Sequence, residues 1–173
     1  FNMHSTATGA EGLPVITFND AMTFHLNGDE IVISHVANAH TDGDSIVHFS
    51  KANVIHTGDT CFSGMYPFID NGSGGSVSGY IDAVNTVLEL ADDTTVIIPG
   101  HGPLTNRQEL LAWRDMLQTV SDRLAGGIRT NKTLEQIQAA KPTAEFDQRY
   151  GGGMIDGELF VAMLYEILAQ RDF

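Results

Sequence analysis

The sequence predicts one α/β (α+β) domain in which mostly antiparallel strands come first and flanking helices follow. Short runs of β-type residues separated by turn residues fill the segment 14–59, and segments with a helical period dominate 79–173. Residues 1–13 are rich in small and polar residues, which is typical of a loop. Because 173 residues is an ordinary length for a single domain, we expect 1–173 to form one.

The strand-rich segment divides into short runs with turn signals between them. The predicted strands cover residues 15–18, 22–26, 31–36, 45–49 and 53–56. Turns such as Asn27-Gly28-Asp29 are typical of connections between neighbouring antiparallel strands. A later run, 94–98, is β-branched and lacks polar alternation, which predicts a strand that is covered on both faces.

Amphipathic periodicity predicts four helices after this sheet. The first carries Ile81, Val84, Leu88 and Ala91 on one face, and the second begins after Asn106 and stops at Gly126-Gly127. Residues 133–140 predict a short helix, and 157–170 predict the last one.

Composition and charge restrict the classes of partner. The formal net charge of −13 would repel nucleic acid and anionic lipid, so a small-molecule substrate is expected. No apolar run approaches the roughly 20 residues that a membrane span needs, and we therefore expect a soluble protein. The start, Phe1-Asn2-Met3-His4, has neither an initiator methionine nor a secretory signal pattern, which indicates an internal start. The cellular compartment is unknown.

Three segments place a metal-capable side chain where a strand runs into a tight turn. Imidazole and carboxylate are ligands for zinc, iron and manganese, and a carboxylate can bridge two cations. Any one such residue is usually structural. Taken together they are more specific, because strand ends can converge on one rim of a sheet. The residues are His40 in Ala39-His40-Thr41-Asp42-Gly43-Asp44, Asp59 in Thr57-Gly58-Asp59-Thr60, and His101 in Pro99-Gly100-His101-Gly102-Pro103.

The order His-Thr-x-Gly, Thr-Gly-Asp, Pro-Gly-His-Gly resembles the second half of the metallo-β-lactamase superfamily. The resemblance implies one half of an αββα sandwich with metals at the sheet edges. It implies that His40 is a ligand of the first metal, Asp59 the bridging carboxylate and His101 a ligand of the second. The implied cofactors are two divalent metals, with zinc expected and iron or manganese as alternatives.

The superfamily's first-half motif, His-x-His-x-Asp-His, does not occur in this sequence. Because its ligands are missing, we expect a truncated, inactive fragment with weak or absent metal. The remaining histidines, His25, His35, His48 and His56, lie in strand-like runs and are expected to be structural, and Cys61 is expected to be a buried small hydrophobe.

The stretch Gly58-Asp59-Thr60-Cys61-Phe62 also resembles hydroxyacylglutathione hydrolase, but the cationic element that follows it in those enzymes is replaced here by Gly64-Met65-Tyr66-Pro67-Phe68. We expect residues 62–79 to form the substrate loop, with Tyr66 and Phe68 as an apolar wall. Tyr66 is also a candidate hydrogen-bond donor to a developing oxyanion. Core packing is the alternative role, above all for Phe68.

The resulting hypothesis is a metal-dependent hydrolase that cleaves an ester, thioester, lactam or related bond with metal-activated hydroxide. A non-catalytic half-domain that acts as an interaction module is the alternative, and a complete enzyme clipped by proteolysis is a third. If the first half is absent, the inner sheet face within 15–56 is left uncovered and apolar. Self-association is expected to cover this face, and the alternatives are the missing N-terminal half or a rearrangement of the chain's own N-terminal strands.

Overall fold

The computed structural model describes residues 9–170 as a five-stranded sheet with helices against one face. The strands lie side by side in chain order, so the predicted meander is confirmed. The first four are antiparallel to their neighbours, while the fifth runs parallel to the fourth. The strands are β1 (Ala21–Leu26), β2 (Asp29–Val36), β3 (Asp44–Phe49), β4 (Val54–Phe62) and β5 (Val96–His101).

Five helices accompany the sheet in the described part of the chain: α1 (Val77–Leu90), α2 (Arg107–Arg129), α3 (Leu134–Ala139), α4 (Asp147–Tyr150) and α5 (Gly157–Ala169). The crossover from β4 to β5 runs through α1, as a parallel connection requires. Asn106 caps α2 by accepting a hydrogen bond from the Glu109 N–H, which confirms the predicted start of that helix. No helix among residues 9–170 is long and apolar enough to cross a membrane.

The predicted end of α2 at Gly126-Gly127 is wrong, since the helix continues to Arg129. Gly127 is buried within the helix, and a Cβ added there would lie 2.8 Å from Ile137 Cδ1. The glycine therefore makes room for α3 to pack against α2. A helical glycine selected for close packing carries the same local signal as one that stops a helix.

The predicted strand at 15–18 is also wrong, because these residues are not in the sheet. Val15 is fully exposed, and β1 is the edge strand with no neighbour beyond it among residues 9–170. A strand needs a partner for its backbone hydrogen bonds, and local composition does not reveal whether one is present. Of the predicted loop 1–13, residues 1–8 lie outside the described part of the chain, and Ala10–Gly12 form one 3-10 turn.

The helices cover one face of the sheet and build the core there. Ile46, Ile55 and Ile97 lie on this face and are at most 1% exposed. The residues that alternate with them point to the opposite face, which we call the open face. None of these belongs to the buried core. The apolar residues of the open face are Met22, Phe24, Leu26, Ile31, Ile33, Val47, Phe49, Val54, Val96 and Ile98.

Candidate metal site

The three predicted ligands meet at one end of the sheet, around the Asp59 carboxylate. His101 Nε2 lies 3.3 Å from Asp59 Oδ1, and His40 Nε2 lies 4.0 Å from Asp59 Oδ2. The two imidazoles thus face different oxygens of one carboxylate. Each imidazole therefore lies close to one carboxylate oxygen, and metal binding by these residues stays a prediction.

A break in the regular strand directs Asp59 to this rim. Gly58 has a φ of 54°, a left-handed conformation that favours glycine, and the pairing of β4 with β5 shifts register on both sides of it. The Gly58 N–H donates to His56 Nδ1 at 3.0 Å. His56, predicted to be merely structural, therefore supports the turn that presents Asp59.

The end of β5 approaches Asp59 so closely that only glycine fits. A Cβ on Gly100 would lie 2.6 Å from the Gly58 carbonyl oxygen and 2.2 Å from Asp59 Oδ1, and the fixed backbone contact leaves no room for a side chain. His101 follows at once, and its ring stacks on Phe62 with centroids 4.5 Å apart. The Pro-Gly-His-Gly motif thus fits the backbone against the carboxylate and orients the imidazole.

Asp44 orients His40 from the side opposite Asp59. Asp44 Oδ1 lies 3.8 Å from His40 Nδ1, and the carboxylate also accepts the Thr41 N–H at 2.6 Å. The Asp44 carboxylate raises the pKa of His40 above its ordinary value, against the effect of partial burial. Burial would raise the pKa of Asp44, but the contacts with His40 and Thr41 outweigh it, and that pKa is lowered.

The two predicted substrate-loop residues have different surroundings. Phe68 is half-buried, and its ring lies 5.9 Å from that of His40, so it borders the site. Tyr66 is buried, stacks on Phe160, and donates its hydroxyl proton to Asp147 Oδ1 at 2.8 Å. In this arrangement that proton is not available to an oxyanion, and Tyr66 packs as a core residue.

Several solved structures are similar to this chain in fold. No family model and no curated protein sequence matches the chain. A double mutant of the sec-alkyl sulfatase PisA1 is similar with a TM-score of 0.69, 17% identity and coverage of 88% of this chain and 26% of that one. A metallo-β-lactamase family protein from Thermus thermophilus has a TM-score of 0.62 and 14% identity, over 92% of this chain and 50% of that one.

A metallo-β-lactamase from Pontibacter korlensis is also similar, with a TM-score of 0.52 and 19% identity over 62% of this chain and 50% of that one. The chain has the metallo-β-lactamase fold. This confirms the fold that the three motifs and their resemblance implied. The chain spans about a quarter to a half of the length of these structures, and identities this low show the fold alone.

The donor types at this rim are those that bind divalent metals. Imidazole nitrogen and carboxylate oxygen suit zinc, iron or manganese, and each Asp59 oxygen faces one imidazole. Each of two cations bound there would receive one imidazole nitrogen and one Asp59 oxygen, whereas a catalytic zinc uses three protein ligands. Among residues 9–170 no group of three or more His, Cys, Asp or Glu side chains could hold a metal ion. The set is therefore incomplete.

Besides Asp44 and His56, two residues of the α1 segment near the site were not found from the sequence. The buried Tyr80 of α1 donates its hydroxyl to the main-chain carbonyl of Asp59, and Ser76 caps the same helix beside the His40 segment. Tyr80 is spaced like a core aromatic on an amphipathic helix, so no local pattern marks it. Cys61 is buried and unpaired, as expected, and burial raises its pKa to about 12.

Proposed function

We propose that the chain supplies one side of a two-metal hydrolytic site in a metallo-β-lactamase-fold hydrolase. In this proposal His40 binds one cation, His101 binds the other, and Asp59 bridges them. The support is the arrangement of Asp59, whose two oxygens face two different imidazoles at 4.0 and 3.3 Å. A carboxylate that serves two cations needs this geometry.

The proposed substrate is a small molecule with an ester, thioester, lactam or related bond. A sulfate ester is among the related bonds, because one structural neighbour is named a sec-alkyl sulfatase. The cation pair would supply Lewis acidity and an activated water. Phe68, beside His40, would form an apolar wall for the substrate. The negative net charge supports a small molecule over nucleic acid.

The donors that the described residues lack would come from another polypeptide segment. With one imidazole and one shared carboxylate at each position, we expect the chain alone to bind cations weakly and to be inactive as a hydrolase. Zinc is the proposed metal, with iron or manganese as alternatives.

Calorimetric titration of the chain with Zn²⁺ tests this proposal. We expect weak binding in the wild type, and Asp59→Asn should weaken it by about tenfold or more because it removes the bridging charge. Asp93→Asn, an exposed aspartate before β5, is the matched control and should bind as the wild type does. No binding at millimolar Zn²⁺, or equal binding in the two variants, would overturn the proposal.

A second candidate function is that of a non-catalytic interaction module. The observation that favours it is the open face, where apolar side chains of all five strands are half-buried or exposed. We propose that a second copy of the chain packs against the open face, and the alternative is that an N-terminal half of the same fold does so. Hydrolysis of activated ester, lactam or sulfate-ester substrates by the chain once a partner is bound would favour the enzyme over the module.

A further inference from the structure

We propose that the first turn of α1 is a positioning device that sets the separation of His40 and Asp59, acting through Ser76 and Tyr80. The proposal rests on the proposed function, because it concerns the same site. The hydroxyls of Ser76 and Tyr80 donate to main-chain carbonyls, so both residues act through the backbone of the segments that carry His40 and Asp59.

The sheet alone does not determine this separation. His40 lies in the turn after β2, and Asp59 lies in β4, with β3 between the two strands. No ladder hydrogen bonds join β2 directly to β4, since they are not neighbours. Within the sheet the two segments are linked only through β3, so a direct connection outside the sheet constrains their distance further.

Ser76 makes this connection on the His40 side. Its hydroxyl donates to the Asn38 carbonyl at 2.9 Å, and its backbone N–H contacts the carbonyls of Asn38 at 2.9 Å and Ala39 at 3.1 Å. The same hydroxyl oxygen accepts the Gly79 N–H and caps α1. The residues immediately before His40 are therefore bonded to the start of the helix.

Two glycines allow the helix start to touch this segment directly. A Cβ on Gly75 would lie 2.2 Å from the His40 carbonyl oxygen, and one on Gly79 would lie 2.1 Å from the Asn38 carbonyl oxygen. Backbone therefore meets backbone, with no flexible side chain between. Contacts of this kind transmit a displacement of the helix straight to His40.

Tyr80 completes the connection on the Asp59 side. It is fully buried, and its hydroxyl donates to the Asp59 carbonyl. Tyr80 follows Ser76 by four residues, so the two lie on the same side of the helix, one turn apart. One rigid helical turn thus holds the backbone of both ligand-bearing segments.

Four variants of the chain test this role: Tyr80→Phe, Ser76→Ala, Ser76→Thr and the control Tyr165→Phe. Tyr165 also donates its hydroxyl to a backbone carbonyl, that of Lys132, but it does so from α5. The first readout is the NMR signals of the His40 and His101 ring nitrogens in cation-free protein. The second is a titration with Co²⁺, followed by its visible absorption and by the same signals. Thermal unfolding is recorded for every variant.

Tyr80→Phe should shift the ring signals and weaken Co²⁺ binding by about tenfold, as is typical when a group that orients a ligand is lost. Tyr165→Phe should change neither, even where it lowers the melting temperature equally. Ser76→Ala should behave as Tyr80→Phe does, and Ser76→Thr, which keeps the hydroxyl, should restore both readouts.

Ring signals and Co²⁺ affinity that are the same in Tyr80→Phe and Tyr165→Phe would overturn the positioning role. If the wild type binds no Co²⁺, the proposed metal function fails, while the ring signals still decide whether α1 positions the two side chains. If Tyr80→Phe does not fold, the comparison of Ser76→Ala with Ser76→Thr decides, and equal ring signals in that pair would overturn the role.

Discussion

The two faces of the sheet are built from the same strands and have opposite surroundings. On the helix-covered face, Ile55 and Ile97 are completely buried. On the open face, Phe24 is 40% exposed and Leu26 57%. Because side chains alternate along a strand, apolar residues at successive positions make both faces apolar. A sheet of this kind suits an inner layer, and within the described residues helices cover only one of its faces.

The covered face contributes to the stability of the chain itself, whereas the open face is the surface proposed to bind a partner. The covered face packs against α1, which in turn packs against α2, whereas the open face has no counterpart among residues 9–170. Contiguous apolar surface is rare on soluble monomers and normally marks an interface. The predictions below test the contrast between the faces.

The largest expected effect is the loss of a core side chain on the covered face. Ile55→Ala should lower the free energy of unfolding by about 2–5 kcal/mol, because it leaves a cavity under the helices. Ile33→Ala on the open face, the matched control, should cost about 1 kcal/mol or less, since that residue is only half-buried. Urea unfolding of both variants at low protein concentration measures the difference. Equal losses would mean that both faces are packed.

A smaller effect is expected on association through the open face. Val47→Lys places a charge at the middle of that face and should weaken self-association by about tenfold or more, because the charge would be buried without a partner. Light scattering at micromolar concentration measures the mass. Gln148→Lys adds the same charge on exposed α4 and should leave association unchanged. A wild type that is monomeric and binds no apolar dye would contradict self-association.

The smallest effect is expected at the rim that carries the candidate site. The raised pKa of His40 means that its contribution to stability is complete below pH 6.5, the ordinary value, and is lost as pH rises through the folded-state pKa. Asp44→Asn should reduce this loss by about 1 kcal/mol or less, since it removes one partly exposed ion pair.

Unfolding in chelator between pH 6 and 9, a range that begins below the ordinary histidine pKa of 6.5 and extends above it, tests this point. Asp44 is ionised throughout that range, because its own pKa is lowered and its contribution is lost only when pH falls below 3.8. Asp93→Asn is the control for the loss of one negative charge. A slope in Asp44→Asn that matches the wild type would show that Asp44 does not act on His40.

Local patterns predicted much of the fold and the three converging residues. Turn motifs and strand alternation are properties of a few neighbouring residues, so the meander, α1 and the capped start of α2 were predictable. The predictions were wrong where an element far along the chain determines the local structure. The run at 15–18 has strand composition but no partner strand among the described residues, and Gly127 looks like a stop but accommodates Ile137. Tyr66 lies in the expected substrate loop, yet Asp147, far along the chain, accepts its hydroxyl proton.

The sequence by itself determined the fold class and the set His40, Asp59 and His101, because each stands in a short motif whose turn chemistry is local. The tertiary structure alone decided that Asp59 lies between the imidazoles, that Tyr80 and Ser76 hold the two segments, and that no element among residues 9–170 covers the second sheet face. These facts depend on contacts between residues about 20 to 40 positions apart. Such contacts follow from how the layers pack, which no local pattern records.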